Sequence, residues 1–489
     1  MKLVVLFFLF LSACAGCGED KYAVVKLEDP NTCKTCHPKH YDQWSGSMHA
    51  YASEDPIFVA MNKRGQREAQ LGTFCVNCHA PMAVKLGLTD GTNYDPSTLP
   101  PEAKGITCFF CHNVDKVTDD HNNGLVLAMD QTMRGGAGSP ADTPAHDSLN
   151  DKNLMASASN KSTMCGSCHD IVTPAGVHIE RSFEEWKTTI FNPDNPNGAK
   201  GNPLTCSACH MGSTTGVIAE GPGLDVGSRT FGLHDHSFPA IDQAVTPFPN
   251  TDAQAADIQT ILNGSLQIVG PTPVAGPPPP GGVCLDPPGL LSVRTDNINV
   301  GHAYPSGASQ DRRVWLEVIG YDAGGTELFS YGKVGDTQDP EDLHEPELDC
   351  ANPTNFQCSG FWDRMTKDDG TTAHFFWDVR NETSYLVKPA ITLVSSDPAY
   401  DHSTTVKYNL TPDQFANVDK ITARVRTRPF PYAVLDELVA SGDLDSSLAQ
   451  NLKTLDMPGG LVTWTKATKG MGQGSMNTNC NPNPPLPGM

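Results

Sequence analysis

One five-residue pattern recurs along the first half of this chain and limits what that half can become. Each copy has two cysteines separated by two residues, and a histidine follows the second cysteine directly. The five copies are Cys33-Lys34-Thr35-Cys36-His37, Cys75-Val76-Asn77-Cys78-His79, Cys108-Phe109-Phe110-Cys111-His112, Cys165-Gly166-Ser167-Cys168-His169 and Cys206-Ser207-Ala208-Cys209-His210. This repetition indicates one kind of site built five times.

The adjacent histidine decides which kind of site is predicted. A zinc site needs matched cysteine pairs and has no use for a histidine that always follows the second cysteine. A redox dithiol of the thioredoxin kind would occur once, in a βαβ context. In c-type haem attachment, two thiols bind the haem vinyl groups, and the next imidazole becomes the proximal ligand of the iron. We therefore predict five covalently attached haems c.

This prediction assigns two roles within each motif. The cofactor-binding thiols are those of Cys33, Cys36, Cys75, Cys78, Cys108, Cys111, Cys165, Cys168, Cys206 and Cys209. The proximal iron ligands are His37, His79, His112, His169 and His210.

The N-terminus predicts export. Met1-Lys2 precedes an apolar run from Leu3 to Leu11, which is too short to span a bilayer and is typical of a signal peptide. Leu11-Ser12-Ala13-Cys14 resembles a bacterial lipobox, so we expect a signal peptide over 1–13 and a lipidated linker over 14–30 that begins at Cys14. Cys17 is the alternative lipid site. The expected location is the periplasmic or extracellular face of the outer membrane, to which the lipid would anchor the protein.

The charge excludes one class of partner. Lys and Arg number 34 against 56 Asp and Glu, giving a net charge of −22. Nucleic-acid binding is not expected, because phosphate recognition needs an excess of cationic side chains.

The chain divides into two regions with different sequence patterns, so the predicted fold class is mixed. Too few residues separate the motifs for five independent domains, so we expect short helices and loops around the haems, over 31–269. A Pro-rich linker is predicted over 270–283. Short runs such as "RRVWLEVIGYDAGGTELFSYG", "HFFWDVR", "YLVKPAITLV", "TTVKYNL" and "KITARVRTR" predict a β-sandwich-like domain over 284–470, followed by a tail over 471–489.

Two helices beside the motifs look like copies of one another. After the first motif, His37, Tyr41, Trp44 and Met48 recur on one helical face. After the fourth motif, "SFEEWKTTIF" offers Ser182 as N-cap with Glu185 three residues later, which predicts a capping box. Each helix follows one motif and precedes another, so a unit that carries a pair of haems is used twice. Two unrelated amphipathic helices remain the alternative.

In combination, these motifs resemble the cytochrome c554-type family of bacterial multihaem cytochromes. The resemblance lies in "CKTCHPKHYDQWSGSMHA", "FCVNCHAPM", "GITCFFCHNV", "CGSCHD" with "SFEEW", and "CSACHM". The segment "NVGHAYPSGASQDRRVWLEVIGYDAGGTELFSYG" is similar to a module attached to many such cytochromes in metal-reducing bacteria. The resemblance implies electron transfer, often at the outer membrane, and leaves the physiological partner open.

Distal ligands must come from the eleven histidines outside the motifs. The resemblance implies His49, His146 and His236 as such ligands, with His234 as the alternative to His236. His302, in Gly-His-Ala-Tyr-Pro, either reaches back to a haem or lies in a turn. His121 is either a ligand or a loop residue. His178 is an alternative candidate for the ligand position considered for His302 or for His121. No haem role is expected for His40, His344, His374 or His402.

The predicted function is electron transfer through closely packed haems that mostly have two histidine ligands. The alternative is a multihaem oxidoreductase that acts on a small nitrogen or sulfur compound at one five-coordinate haem. All five motifs are regular, whereas the catalytic haem of related enzymes often departs from the motif, so we expect an electron carrier rather than an enzyme. The expected partners are other multihaem cytochromes or an outer-membrane porin, with extracellular metals as further acceptors.

Overall fold

The first half of the chain is built from short helices. The computed structural model describes residues 21–136, 143, 145–151, 158–196, 204–221, 228–268, 282–297, 299–340, 359–392, 394, 397–400 and 402–466. The helices of this half are α1 (Val24–Glu28), α2 (Pro30–Lys34), α3 (Pro38–Ser45), α4 (Met48–Tyr51), α5 (Pro56–Ala69), α6 (Val76–His79), α7 (Pro81–Lys85), α8 (Cys108–His112), α9 (Ala158–Gly166), α10 (Ser182–Thr188), α11 (Cys206–His210) and α12 (Thr251–Asn263). Proline opens α2, α3, α5 and α7, where its missing N–H costs nothing and each new helix can start soon after the last.

Small two-stranded ribbons connect these helices, and the sequence did not predict them. The antiparallel pairs are β1 (Val114–Val117) with β2 (Leu125–Leu127), β5 (Asp170–Val172) with β6 (His178–Arg181), and β7 (Ser213–Val217) with β8 (Ser228–His234). One pair is parallel, β3 (Thr132–Gly135) with β4 (Asp147–Asn150).

The second half is rich in sheet. Its strands are β9 (Val283–Asp286), β10 (Leu290–Asp296), β11 (Arg313–Tyr321), β12 (Glu327–Tyr331), β13 (Gly360–Phe361), β14 (Asp363–Thr366), β15 (Asn381–Ser384), β16 (Ser403–Asn409), β17 (Lys420–Arg428) and β18 (Leu455–Thr465). Its helices are α13 (Pro412–Asn417), α14 (Tyr432–Ala440) and α15 (Ser446–Ala449). One sheet has the order β16-β10-β9, another has the order β12-β11-β17-β18 with β13 on β11, and β14 pairs with β15.

Two predictions for this half are confirmed. β11 and β12 pair antiparallel around the Gly-Gly turn. In β17 buried and half-buried residues alternate along most of the strand, as its period of two predicts. The mixed fold class is therefore correct at this level.

Two of the strand predictions are wrong, and the sandwich stays a prediction. "HFFWDVR" contains a short 3₁₀ turn at Phe376–Asp378, and in "YLVKPAITLV" the described residues form only an isolated bridge, at Val387. Both larger sheets contribute to one apolar cluster, for example through Val293 and Val406 on one side and Leu316 and Val425 on the other. This shared cluster does not by itself confirm a β-sandwich.

The two halves share apolar clusters. Ile258 and Leu262 of α12 belong to the cluster formed by the two larger sheets. Ile57 of α5 belongs to a second cluster with Leu435 and Leu438 of α14. Because each half contributes buried side chains to the other, their packing positions groups from both around the motifs.

Several predicted features lie outside the described residues. They are the signal peptide, Cys14 and Cys17, most of the Pro-rich linker, and the tail. Cys284 is disulfide-bonded, and its partner also lies outside them, because every other described cysteine is free. Among the described helices, none is long and apolar enough to cross a membrane.

Candidate haem sites

Each motif is wound into a single helical turn. The histidine N–H of three motifs donates to the carbonyl of the first cysteine, at 2.8 Å for His37, 3.2 Å for His79 and 3.0 Å for His169. Positions i, i+3 and i+4 of a helix face the same side. One turn therefore presents two thiols and an imidazole together, as haem attachment requires.

Four of the proximal imidazoles are oriented by a backbone oxygen. The Nδ1 atom of His37 lies 2.8 Å from Ile218 O, and that of His79 lies 3.3 Å from Ala52 O. The corresponding distances are 2.6 Å from His112 to Arg134 O and 2.8 Å from His210 to Pro239 O. A carbonyl can only accept, so Nδ1 carries the proton and Nε2 is left to bind iron.

Four of the five proximal imidazoles have a second imidazole opposite them. The ring centres are 6.4 Å apart for His37 and His146, 6.3 Å for His112 and His236, 6.0 Å for His169 and His49, and 6.4 Å for His210 and His302. Two ligands on opposite sides of one metal have ring centres about 6 Å apart, because each bond is about 2 Å and each half-ring adds about 1 Å. The side chains therefore fit a haem iron between each pair.

Three of the four distal imidazoles are suited to remain neutral. Burial lowers the pKa of His49 and of His236 to about 3, and that of His302 to about 4. Backbone oxygens again accept from Nδ1, at 2.9 Å for His236 from His234 O and at 2.8 Å for His302 from Ala303 O. A neutral imidazole with Nε2 unprotonated is the form that binds a metal.

The second motif is different. The ring of His79 stacks on Phe58, with centres 4.0 Å apart and planes 1° apart, so Phe58 flanks this imidazole. Among the described residues, which include all histidines except His344, no imidazole pairs with His79 in the way found for the other four. Among the described residues, the second motif therefore has one imidazole where the other four motifs have two.

The remaining histidines have other contacts. His121 lies 3.4 Å from both Asp119 and Asp120, and among the described residues its ring is not paired with a proximal imidazole. His178 contacts Asp170. His234 contacts Met211 O at 2.8 Å, and His40 packs 4.8 Å from the ring of His236.

Thiols of different motifs lie next to each other. The side chains of Cys33 and Cys108, of Cys165 and Cys206, and of Cys78 and Cys168 are close enough to interact. A cavity of about 1000 Å³ is lined by the cysteines of the first, third, fourth and fifth motifs. The attachment points are thus neighbours in space, and the contacts link the first motif to the third, and the fourth to both the second and the fifth.

The two predicted tryptophan helices make equivalent hydrogen bonds. The indole of Trp44 donates to Ile106 O at 2.8 Å, and the indole of Trp186 donates to Leu204 O at 3.0 Å. Each acceptor lies two residues before a motif cysteine, Cys108 or Cys206. The structure therefore contains the repeated unit, but the first copy joins the first motif to the third and not to the second.

The capping box predicted at α10 is not formed. Arg181 is the N-cap of this helix and makes no side-chain cap. Ser182 instead accepts from Gly307 N at 2.9 Å, and Glu185 accepts from Ala303 N at 3.1 Å. Both side chains contact the segment that carries His302, a distant contact that local sequence rules could not predict. The sequence likewise gave no indication of Phe58 or of the carbonyls that orient the proximal imidazoles.

Comparisons with known proteins place these features in context. The family model described as "Cytochrome c554 and c-prime" matches residues 32–113. The crystal structure of a penta-heme cytochrome c552 from Thermochromatium tepidum is similar, with a TM-score of 0.58 and 16% identity, covering 91% of this chain and 100% of that one. At this identity the likeness shows the fold alone. No curated protein matches the chain.

Proposed function

We propose that the chain is a multihaem c-type cytochrome that transfers electrons through five closely spaced haems c, four of which have two histidine ligands. The observation that carries this proposal is the set of four imidazole pairs, with ring centres 6.0–6.4 Å apart. An iron with both axial positions filled has no site for substrate, so its chemistry is the gain and loss of an electron. The chain supplies the neutral imidazoles and holds them in place.

Neighbouring attachment points support passage between haems. The thiol contacts define a path from the first motif through the third to the fourth, with branches from the fourth to the second and the fifth. The step from the third to the fourth rests on the proximity of Cys111 to both Cys165 and Cys168. Short steps of this kind suit electron transfer in either direction.

The proposed ligand set differs from the predicted one at a single residue. His37, His79, His112, His169 and His210 are the proximal ligands, and His49, His146, His236 and His302 are the distal ones. His121 is left out because it lies against two carboxylates.

The haem count and the ligands can be tested together. Intact mass and a haemochrome assay should both give five haems, and a count of three or four would contradict the proposal. His49→Ala should convert one low-spin haem into a high-spin haem that binds carbon monoxide after reduction. His121→Ala is the control, and its spectra should match those of the wild type.

The second motif favours one alternative function. Its single imidazole leaves room for an open iron position, as an oxidoreductase acting on a small nitrogen or sulfur compound would need. Electron paramagnetic resonance of the oxidised wild type and a carbon monoxide difference spectrum after reduction should then report one reactive haem. Turnover of nitrite or hydroxylamine with a reduced dye would favour this alternative, whereas binding without turnover would favour the electron carrier.

Location and partners form a separate part of the proposal. We propose an exported lipoprotein attached to the outer membrane through Cys14, which exchanges electrons with another multihaem cytochrome or through a porin, and with extracellular metals as further acceptors. The support is the N-terminal sequence.

A further inference from the structure

We propose that Glu185, assisted by Ser182, is a positioning residue that holds the His302 segment of the sheet-rich half against the fifth motif. The inference rests on the proposed pairing of His302 with His210. It adds that a carboxylate on α10, between the fourth and fifth motifs, keeps a ligand from the other half of the chain in place.

Four contacts form one directed chain of hydrogen bonds. Gly307 N donates to Ser182 Oγ at 2.9 Å, and the Oγ atoms of Ser182 and Ser306 are 2.8 Å apart. Ser306 Oγ lies 3.0 Å from Glu185 Oε2, which also accepts from Ala303 N at 3.1 Å. When Glu185 is ionised its carboxylate can only accept, so in that state each hydroxyl donates toward Glu185. One side chain thereby fixes the direction of the whole chain of bonds.

Hydrogen bonds from the sheet-rich half also hold the segment that carries His302. Asn297 donates to His302 O at 2.9 Å and to Val387 O at 3.1 Å. Tyr304 and Val387 exchange both backbone hydrogen bonds, at 3.0 and 2.9 Å. These bonds attach His302 to its own half, whereas the bonds to Glu185 and Ser182 attach it to the half that carries His210.

Burial of the Glu185 carboxylate is energetically unfavourable, and formation of helix α10 does not by itself require it. Burial raises the pKa of Glu185 to about 7, although Arg181 and the donors from Ser306 and Ala303 favour the carboxylate. At Ser182, the hydroxyl that could cap α10 is used on Gly307 instead. Both residues therefore give up local stability for contacts with the ligand segment.

The test is the rate at which carbon monoxide binds the haem of the fifth motif in the reduced, fully loaded protein. This phase is identified by its change in His302→Ala, because the haem of the second motif, which has no paired imidazole among the described residues, binds the gas in a separate fast phase. His302 must leave the iron before the gas can bind. Glu185→Ala removes two hydrogen bonds from the segment, so the rate should rise about tenfold or more. Glu185→Gln keeps an oxygen acceptor and should return the rate close to that of the wild type. Glu184→Ala is the matched control, because Glu184 pairs with Lys187 on the same helix and not with the ligand segment.

Each outcome has one meaning. His302→Ala should bind one further equivalent of the gas without delay, and if it does not, His302 is not the ligand and both the pairing and this inference fail. If His302→Ala opens the site but Glu185→Ala reacts like the wild type, only the positioning role is wrong. An equal effect of Glu184→Ala would also overturn it. If Glu185→Ala does not assemble with all haems, Ser182→Ala decides: a faster rate supports the inference and an unchanged rate refutes it.

Discussion

The indole nitrogen of Trp186 donates a hydrogen bond to the backbone oxygen of Leu204, 3.0 Å away, directly ahead of the fifth motif. Trp44 makes the same bond to Ile106 ahead of the third motif. In each copy of the unit, a helix that follows one attachment site therefore fixes the start of another.

We expect Trp186→Phe to weaken the fold around the fourth and fifth motifs. Trp186 is 4% exposed, so its loss leaves a buried carbonyl without its donor, at a cost of about 1–2 kcal/mol. Thermal unfolding followed by Soret circular dichroism should show a lower midpoint. Trp44→Phe is the matched variant, and its effect should be smaller because Trp44 is only half-buried. Unchanged midpoints in both variants would contradict the role of these bonds.

The angles between paired imidazole planes predict two kinds of low-spin haem. The angle is 54° for His49 and His169, but 10° for His210 and His302 and 23° for the other two pairs. Nearly parallel planes donate along one direction and split two iron orbitals, whereas crossed planes donate more evenly. Electron paramagnetic resonance should therefore give one low-spin signal of large maximum g value beside three more rhombic ones. His49→Ala should remove that one signal and leave the other three.

The raised pKa of Glu180 predicts that the free energy of unfolding decreases as pH rises. Burial raises its pKa from 4.5 to about 7, with Asp311 and Asp242 adding to the shift and Arg312 opposing it. The folded pKa is above the unfolded one, so this contribution to stability is full below about pH 4.5 and is lost between there and about pH 7.

Glu180→Gln should remove this dependence, because the amide stays neutral. Its thermal midpoint should exceed that of the wild type at high pH, with the advantage shrinking as pH falls toward 4.5. Glu184→Gln is the exposed control and should not follow this pattern. An advantage of Glu180→Gln that is the same at every pH would show that charge burial is not its cause.

Lipid attachment is expected at Cys14. Cys14→Ser should move the protein from the membrane fraction to the soluble fraction, because a signal peptide without a modifiable cysteine leaves no anchor. Cell fractionation with immunoblotting measures this, and Cys17→Ser is the control. If only Cys17→Ser releases the protein into the soluble fraction, the lipid is attached at Cys17, three residues after the predicted site.

Local patterns predicted the local chemistry well. Each of the five motifs forms a helical turn that brings its thiols and imidazole together, and the predicted hairpin of β11 and β12 has its turn at Gly-Gly, because these features depend on residues close in sequence. Which imidazoles face each other could not be predicted. His112 meets His236, and His210 meets His302, only through packing of distant segments, and no periodicity records such packing.

The failures have the same origin. Ser182 and Glu185 have the spacing of a capping box, but both side chains form hydrogen bonds with the segment 303–307 instead. The strand predicted in "HFFWDVR" becomes a turn whose Trp377 packs with Ile57 of the other half. In both cases a partner remote in sequence overrides the local preference.

The position of His302 has a consequence for biogenesis. All five attachment motifs precede it in the chain, so thioether formation can be complete while the last iron still lacks its second imidazole. The segment that carries His302 follows strands β9 and β10 and lies against α10, so this imidazole depends on folding of the C-terminal half. On the proposed ligand set, a chain truncated before His302, or one whose C-terminal half misfolds, would carry every haem and yet have one more iron without a second imidazole than the complete protein. The spectrum of the fifth-motif haem would thus report whether the C-terminal half had folded.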